Sequence, residues 1–442
     1  MKYRYSRLAL ASALFAASGM ASAIPFASFE TRSMAMGGVG VAVGSPDAAP
    51  LFNPALLSVS KPEDDFSLIL PTVGVQLSDP TKLRDALDTF QSTDTIGTLN
   101  THITDLNNAI NTNNQSAAST AASRISSDIS SLSSQFTTLS GRPIAVDGGA
   151  AAIASIPGKS LGLSFYANAQ VTMGGVFNYE DASTLNTWTS NASTCSTDIG
   201  NNNLNSTACT ALKNTSTTDL KSGVHFQGVA LGEMGVAMSH EFEIADSKMA
   251  LAITPKVVKA QLYDVQLKAS DTNQNNVTGA DYLAEYSFAN FDIGAAKAYD
   301  DTGWRTGIVI KNVIPQTLDF KRATTPGTTP VATGSQLQLK PQARFGVSHS
   351  TSWSTVGVDL DLTKNDPAGF EQASQYLALG GELDAWGWLQ LRAGYRMNLV
   401  DSARNIASAG LGFAIMGVVH ADVAVAGNSD EVGGSFQLGM HF

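Results

Sequence analysis

Ser435-Phe436-Gln437-Leu438-Gly439-Met440-His441-Phe442 alternates apolar residues with polar or small ones and stops on an aromatic ring. In an extended strand, successive side chains point to opposite faces, so Phe436, Leu438, Met440 and Phe442 share one face and Ser435, Gln437, Gly439 and His441 the other. One face suits lipid and the other water, which is the pattern of a strand in an outer-membrane β-barrel. A soluble sheet facing a core would show the same alternation, so the rest of the chain has to choose.

Its start argues for export. Lys2, Arg4 and Arg7 precede a short apolar run from Leu8 to Ala17, and Ala21-Ser22-Ala23 fits a small-residue cleavage site, so residues 1–23 read as a secretory signal. The apolar run is too short for a transmembrane anchor, which needs about 20 residues. No later run approaches that length. The formal charge of −11 argues against a nucleic-acid-binding surface, which needs a basic stripe. With only 15% charged residues, the composition suits a surface divided between lipid and water.

Outward from the final strand, segments of period two recur back to Asp65. They lie near 65–77, 142–156, 160–181, 219–241, 248–268, 282–298, 303–322, 335–349, 354–364, 373–384, 388–398, 405–414, 418–426 and 433–442. About fourteen strands is an even number, as single-chain bacterial barrels require. Their connections alternate in length: Pro157-Gly158-Lys159 and Ala385-Trp386-Gly387 are tight, whereas 79–141, 182–218 and 269–281 are long and polar. Short periplasmic turns alternating with long external loops place both ends of the barrel in the periplasm of a Gram-negative cell. The expected fold is therefore an all-β antiparallel transmembrane barrel over 65–442, with residues 24–64 ahead of it.

Facing is legible in the later strands. Val356, Val358, Leu360 and Leu362 oppose Gly357, Asp359, Asp361 and Thr363, and Leu391, Ala393 and Tyr395 oppose Arg392, Gly394 and Arg396. Charges at the lipid midplane cost about 2–4 kcal/mol, so Asp359, Asp361, Arg392 and Arg396 are expected in the lumen, paired with one another. Tyr376, Trp386, Trp388 and Tyr395 are candidates for an interfacial aromatic girdle.

Residues 79–141 break the period. Ile96, Leu99, Ile103, Leu106 and Ile110 step by three and four, as do Ile125, Ile129, Leu132, Phe136 and Leu139, which predicts an antiparallel helical hairpin in the first long loop. A disordered Ser/Thr-rich loop is the alternative. Cys195 and Cys209 stand in a polar stretch of an exported chain, where an oxidising compartment favours a local disulfide; a metal site would want further His or Cys nearby.

No catalytic constellation emerges: the glycines of Gly37-Gly38-Val39-Gly40 miss dinucleotide-loop spacing, and His240-Glu241 lacks a second histidine. Ser33-Met34-Ala35-Met36-Gly37-Gly38-Val39-Gly40-Val41-Ala42, with Asp47-Ala48-Ala49 and Asn53-Pro54-Ala55, resembles the N-terminal start of the FadL-like outer-membrane transporter superfamily. Lys311-Asn312-Val313-Ile314-Pro315, Arg392-Ala393-Gly394-Tyr395-Arg396 and Gly410-Leu411-Gly412 look most like its TraF-like plasmid-transfer branch.

The resemblance implies a fourteen-stranded barrel plugged by an N-terminal hatch over 24–64, carried here by Gly37, Gly38, Asp47, Asn53, Pro54 and Ala55. It implies passive passage of small hydrophobic compounds or, in the other branch, a structural or interaction barrel of conjugal transfer or surface export. Expected partners are outer-membrane lipid, the barrel-assembly machinery acting on the Phe436, Leu438, Met440 and Phe442 face, and a small hydrophobic ligand or conjugation and secretion proteins. No enzymatic activity, cofactor, metal or nucleic acid is expected.

Overall fold

The computed structural model describes residues 26, 29–59, 65–244, 247–270, 279–299, 302–325, 327–365, 370, 373–415 and 418–442. The expected signal at 1–23 lies outside them. Sixteen strands follow in chain order: β1 (Ser67–Ser78), β2 (Pro143–Ile156), β3 (Gly162–Asn178), β4 (Gly223–Ile244), β5 (Ser247–Lys268), β6 (Leu283–Tyr299), β7 (Trp304–Lys311), β8 (Gln316–Arg322), β9 (Val331–Leu339), β10 (Gln342–Ser350), β11 (Ser354–Asp361), β12 (Tyr376–Ala385), β13 (Leu389–Asn398), β14 (Ile406–Ile415), β15 (Val419–Gly427) and β16 (Glu431–His441). Fourteen close into an antiparallel barrel, and β8 and β9 form a separate two-stranded sheet.

Closure is made by β1 against β16, with Val73 opposite Phe436 and Leu77 opposite Val432. A closed sheet leaves no unpaired edge, the condition for crossing a bilayer with strands. The alternation sorts side chains as the pleat dictates: Phe436, Leu438, Met440 and Phe442 are exposed on the outside while Gln437 is buried inside. Tyr395, Trp386 and Trp388 also face out, but Tyr376 is buried in the lumen under the Arg396 guanidinium, 4.6 Å from its ring, and so belongs to no girdle.

Strand lengths divide the barrel. β7, β10 and β11 have 8 or 9 residues, close to the 9–11 that span a bilayer, whereas β4 and β5 have 22 each. β3 to β6 thus rise beyond the membrane as a wall at the long-loop end. On its outer face Lys259 meets Glu285 at 3.1 Å, both about half exposed, as water contact would require.

Helices at Leu83–Thr93, Thr95–Asn111 and Gln115–Leu139 occupy the first long loop. Ile96, Leu99, Ile103, Leu106 and Ile110 pack against Ile125, Ile129, Leu132, Phe136 and Leu139. The second long loop, which has no helical signal in the reading above, adds helices at Ala182–Gly200 and Thr207–Lys213. Its apolar stripe of Leu185, Ala192, Cys195 and Ile199 is sparse, and Ser, Thr and Asn fill the gaps. This lobe docks on the outer face of the tall wall through Ile144, Phe177, Val224 and Phe226.

The stretches 303–322 and 335–349, each read as one strand, both break. Asn312 turns at φ +54° and Pro315 has no N–H to give a ladder, so the chain leaves the wall after Lys311. The β8–β9 hairpin bends inward and lays Leu318, Phe320, Leu337 and Leu339 on the lumenal side chains Val229, Leu231, Val258, Ala260 and Leu262. Sequence periodicity sees an apolar alternation in both cases and cannot tell wall from lumen.

Candidate functional site

The lumen is filled by the segment 29–59. It makes no strand ladder with the wall, so its backbone polar groups need partners, and lumenal side chains supply them. The Glu30 carboxylate caps the helix Thr31–Ala35 by accepting N–H bonds from Arg32 and Ser33. The chain then turns through Gly37 at φ +72°, pressed so close to the wall that a Cβ there would lie 2.7 Å from the Leu379 carbonyl and the Tyr395 nitrogen. Only glycine meets both demands.

Asp359 is the centre of the hold. Its Oδ2 accepts the N–H groups of Gly40 and Val41 at 2.8 and 2.9 Å, with the carboxylate buried. Arg344 donates to the Gly38 carbonyl at 3.2 Å and Ser348 to the Ala42 carbonyl at 3.0 Å. Asn53 serves both directions: its Oδ1 accepts from Ala55 N–H at 3.1 Å, capping the turn Pro54–Ser58, and its amide donates to the carbonyls of Val41 and Ala295. Pro54, first in that turn, gives up no needed donor. At the short-turn end Leu57 accepts from Gly158 N–H at 2.9 Å.

A buried chain of charges ties the segment to β12, β13 and β15. Arg32 grips Glu382 with two bonds of 2.8 and 2.9 Å, Glu382 also accepts from Arg392 at 2.6 Å, and Arg392 reaches Asp422. Asp47 meets His441 of the final strand at 2.9 Å. Burial pushes the Asp47 carboxyl up, but the hydrogen bond and charge of His441, with the Ser45 hydrogen bond and the charge of Arg32, together hold the group down at about 2. Burial raises Glu30 to about 7, against the pull of its Ser33 hydrogen bond and with a further push from Asp47.

Asp359 and Asp361 do not pair with Arg392 or Arg396. Asp361 pairs with Arg344 on the adjacent β10 at 2.6 Å, Asp359 serves the N-terminal segment, and Arg396 donates to Gln76 at 3.0 Å. The reason is competing partners: Arg344 stands directly across from Asp361 on the neighbouring strand, and Arg392 is taken up by Glu382 and Asp422. Glu30, Arg32, Arg344, Glu382 and Asp422 have no motif of their own in the sequence. A usable signal was there in the wall glycines on the lumenal face, such as Gly394, where a side chain would collide with Met36 and Gly37.

Cys195 and Cys209 are joined in a disulfide inside the helical lobe, away from the lumen. At the long-loop mouth a cavity of about 370 Å³ opens between the ends of β1 and β2, the start of β16 and residues 401–404. Its floor is Glu431, which accepts from Gln76 at 2.7 Å and Arg404 at 2.9 Å.

A family model described as "F plasmid transfer operon, TraF, protein" matches residues 50–361. The chain belongs to this family. Among solved structures it is similar to the toluene transporter TbuX of Ralstonia pickettii, with a TM-score of 0.50 and 13% identity over 94% of this chain and 98% of that one. The toluene transporter TodX of P. putida gives a TM-score of 0.49 and 10% identity over 95% and 99%. No curated protein matches. The family member thus shares its barrel fold with TbuX and carries helical loops on its outer wall.

Proposed function

We propose that this chain is a passive channel for small hydrophobic compounds in the outer membrane of a Gram-negative bacterium. Residues 29–59 act as its hatch. Both termini and the short turns then face the periplasm, and the helical lobe faces outward. The observation that carries the reading is the way the hatch is held: an irregular segment fills the lumen through side chains that a small displacement would release, with no continuous ladder. The name of the structurally similar TbuX, a toluene transporter, supports the choice of cargo class.

The test is flux of toluene into liposomes holding the full chain. In a Val43→Cys, Gly357→Cys variant, where a Cβ at 357 would lie 3.5 Å from that of residue 43, oxidation should stop flux and mild reduction restore it. Flux that ignores the cross-link would end the hatch reading.

A second reading, a non-transporting interaction barrel of conjugal transfer or surface export, is favoured by the family name and by the stapled helical lobe on the outer wall. It expects no flux from the intact chain, and loss of plasmid transfer on deleting 91–140.

A further inference from the structure

The cavity at the long-loop mouth has a size and a charge that speak to what enters it. Pro80, Pro143, Ala145, Phe370 and Ala403 give it an apolar lining, and Phe370 is braced edge-on against His225 with ring centroids 4.8 Å apart. A dry cavity of ~150 Å³ accepts benzene. At about 370 Å³ this one holds a fused pair of rings or a ring with a short chain.

Its charges are unequal. Among the described residues, Asp401, Asp430 and Glu431 line it against one lining cation, Arg404, whose guanidinium is bound to Glu431 at 2.9 Å. Asp401 is turned to its own loop, accepting from Ala403 N–H at 3.0 Å. On the outer lip Lys82 stands 4.0 Å from Asp430 and Arg142 donates to the Thr81 carbonyl at 3.0 Å, so both lip cations already face protein groups. A ligand carboxylate entering the cavity would meet Asp401 and the Arg404–Glu431 pair, and would have to break that pair to gain a partner. A neutral ring with a hydroxyl meets carboxylate acceptors and an apolar wall.

We propose that this cavity is the outer binding site of the channel and that it selects neutral, ring-sized amphiphiles over carboxylates of the same shape. The proposal rests on the transport reading for its physiological meaning, but binding at the cavity can be measured without flux.

Equilibrium dialysis of the full chain in detergent, with naphthol and naphthoate at neutral pH, is the test. Naphthol should bind saturably and naphthoate at least tenfold more weakly. Ala145→Trp, which fills the cavity, should weaken naphthol binding tenfold or more, and Ala403→Trp should do the same from the opposite side, with heat-modifiable gel mobility reporting that each variant is folded. Asp401→Asn with Asp430→Asn should bring naphthoate towards naphthol. Equal binding of the two probes, or naphthol binding untouched by both tryptophans, overturns the site. Naphthol binding without naphthol flux in liposomes would sink the transport reading and leave the site standing.

Discussion

Asp359 and Val41 lie 318 positions apart in sequence and 2.9 Å apart in space, the buried carboxylate of the wall accepting the backbone N–H of the lumenal segment. The same oxygen takes Gly40, so one side chain serves both N–H groups of the bend while Arg344 and Ser348 hold the carbonyls on either side. A hydrogen bond to a charged group contributes about 1.5–3 kcal/mol. Asp359→Ala should therefore release the segment by several kcal/mol, seen as faster protease cleavage within 29–59 and higher ion conductance in planar bilayers. Unchanged conductance would mean that the other contacts suffice.

The Arg32–Glu382–Arg392 chain predicts an asymmetry. Glu382→Ala leaves the Arg32 guanidinium in the lumen without a carboxylate and Arg392 with Asp422 alone, and breaking a buried pair by removing one partner costs about 3–5 kcal/mol. Arg32→Ala leaves Glu382 still paired with Arg392 and should cost less. Thermal unfolding of the barrel by circular dichroism compares them; a larger loss in Arg32→Ala would contradict the network.

Glu30 should make the seating of residues 29–59 in the lumen depend on pH. Its carboxyl rises from 4.5 free to about 7 when docked, because burial disfavours the charge, with Asp47 and Asp422 adding repulsion and Arg32 opposing. A raised acid stabilises the docked state fully below the free value and loses that contribution as pH climbs through the docked one. That rise from 4.5 to about 7 corresponds to about 3 kcal/mol. Protease accessibility of 29–59 should grow between pH 4.5 and 7, and Glu30→Gln should flatten the rise.

Cys195 and Cys209 close a 14-residue separation between two helices of the outer lobe. Replacing both with Ser should destabilise the lobe by about 3 kcal/mol in the chain-entropy account. Hydrogen exchange should quicken across 182–213 and leave β12 to β16 as before; a loss spread over the barrel would refute a local role.

Phe320 anchors the inward hairpin, fully buried against the lumenal wall. Phe320→Asp places a charge in that contact and should free the hairpin from the mouth. Larger single-channel conductance at unchanged Asp359 contacts is the expected result, and no change would show that β8 and β9 do not obstruct the path.

Much of this was legible before any coordinates. The alternation at 435–442, the paired loop lengths and the three-four stepping at 96–110 and 125–139 each depend on near neighbours in sequence, and each reappears as a strand face, a barrel end or a helix. The Asp359–Arg392 pairing did not follow, because facing is a local property while competition among partners around a barrel is not. The inward turn after Lys311 escaped for a related reason: period two describes a strand and says nothing of which surface it is laid on. Only Pro315 and the left-handed Asn312 mark the departure.

Pleat and helix period, set within a few residues, were enough to specify a barrel, its facing and the helical character of its first long loop. Tertiary structure alone decided which lumenal charge holds which atom of the N-terminal segment, where the helical lobe rests, and that a hairpin folds into the mouth. Those are choices among partners hundreds of residues apart, made by burial: a backbone group carried into the lumen must find a donor or acceptor there, and closure of the barrel brings Asp359, Arg344 and Glu382 into reach.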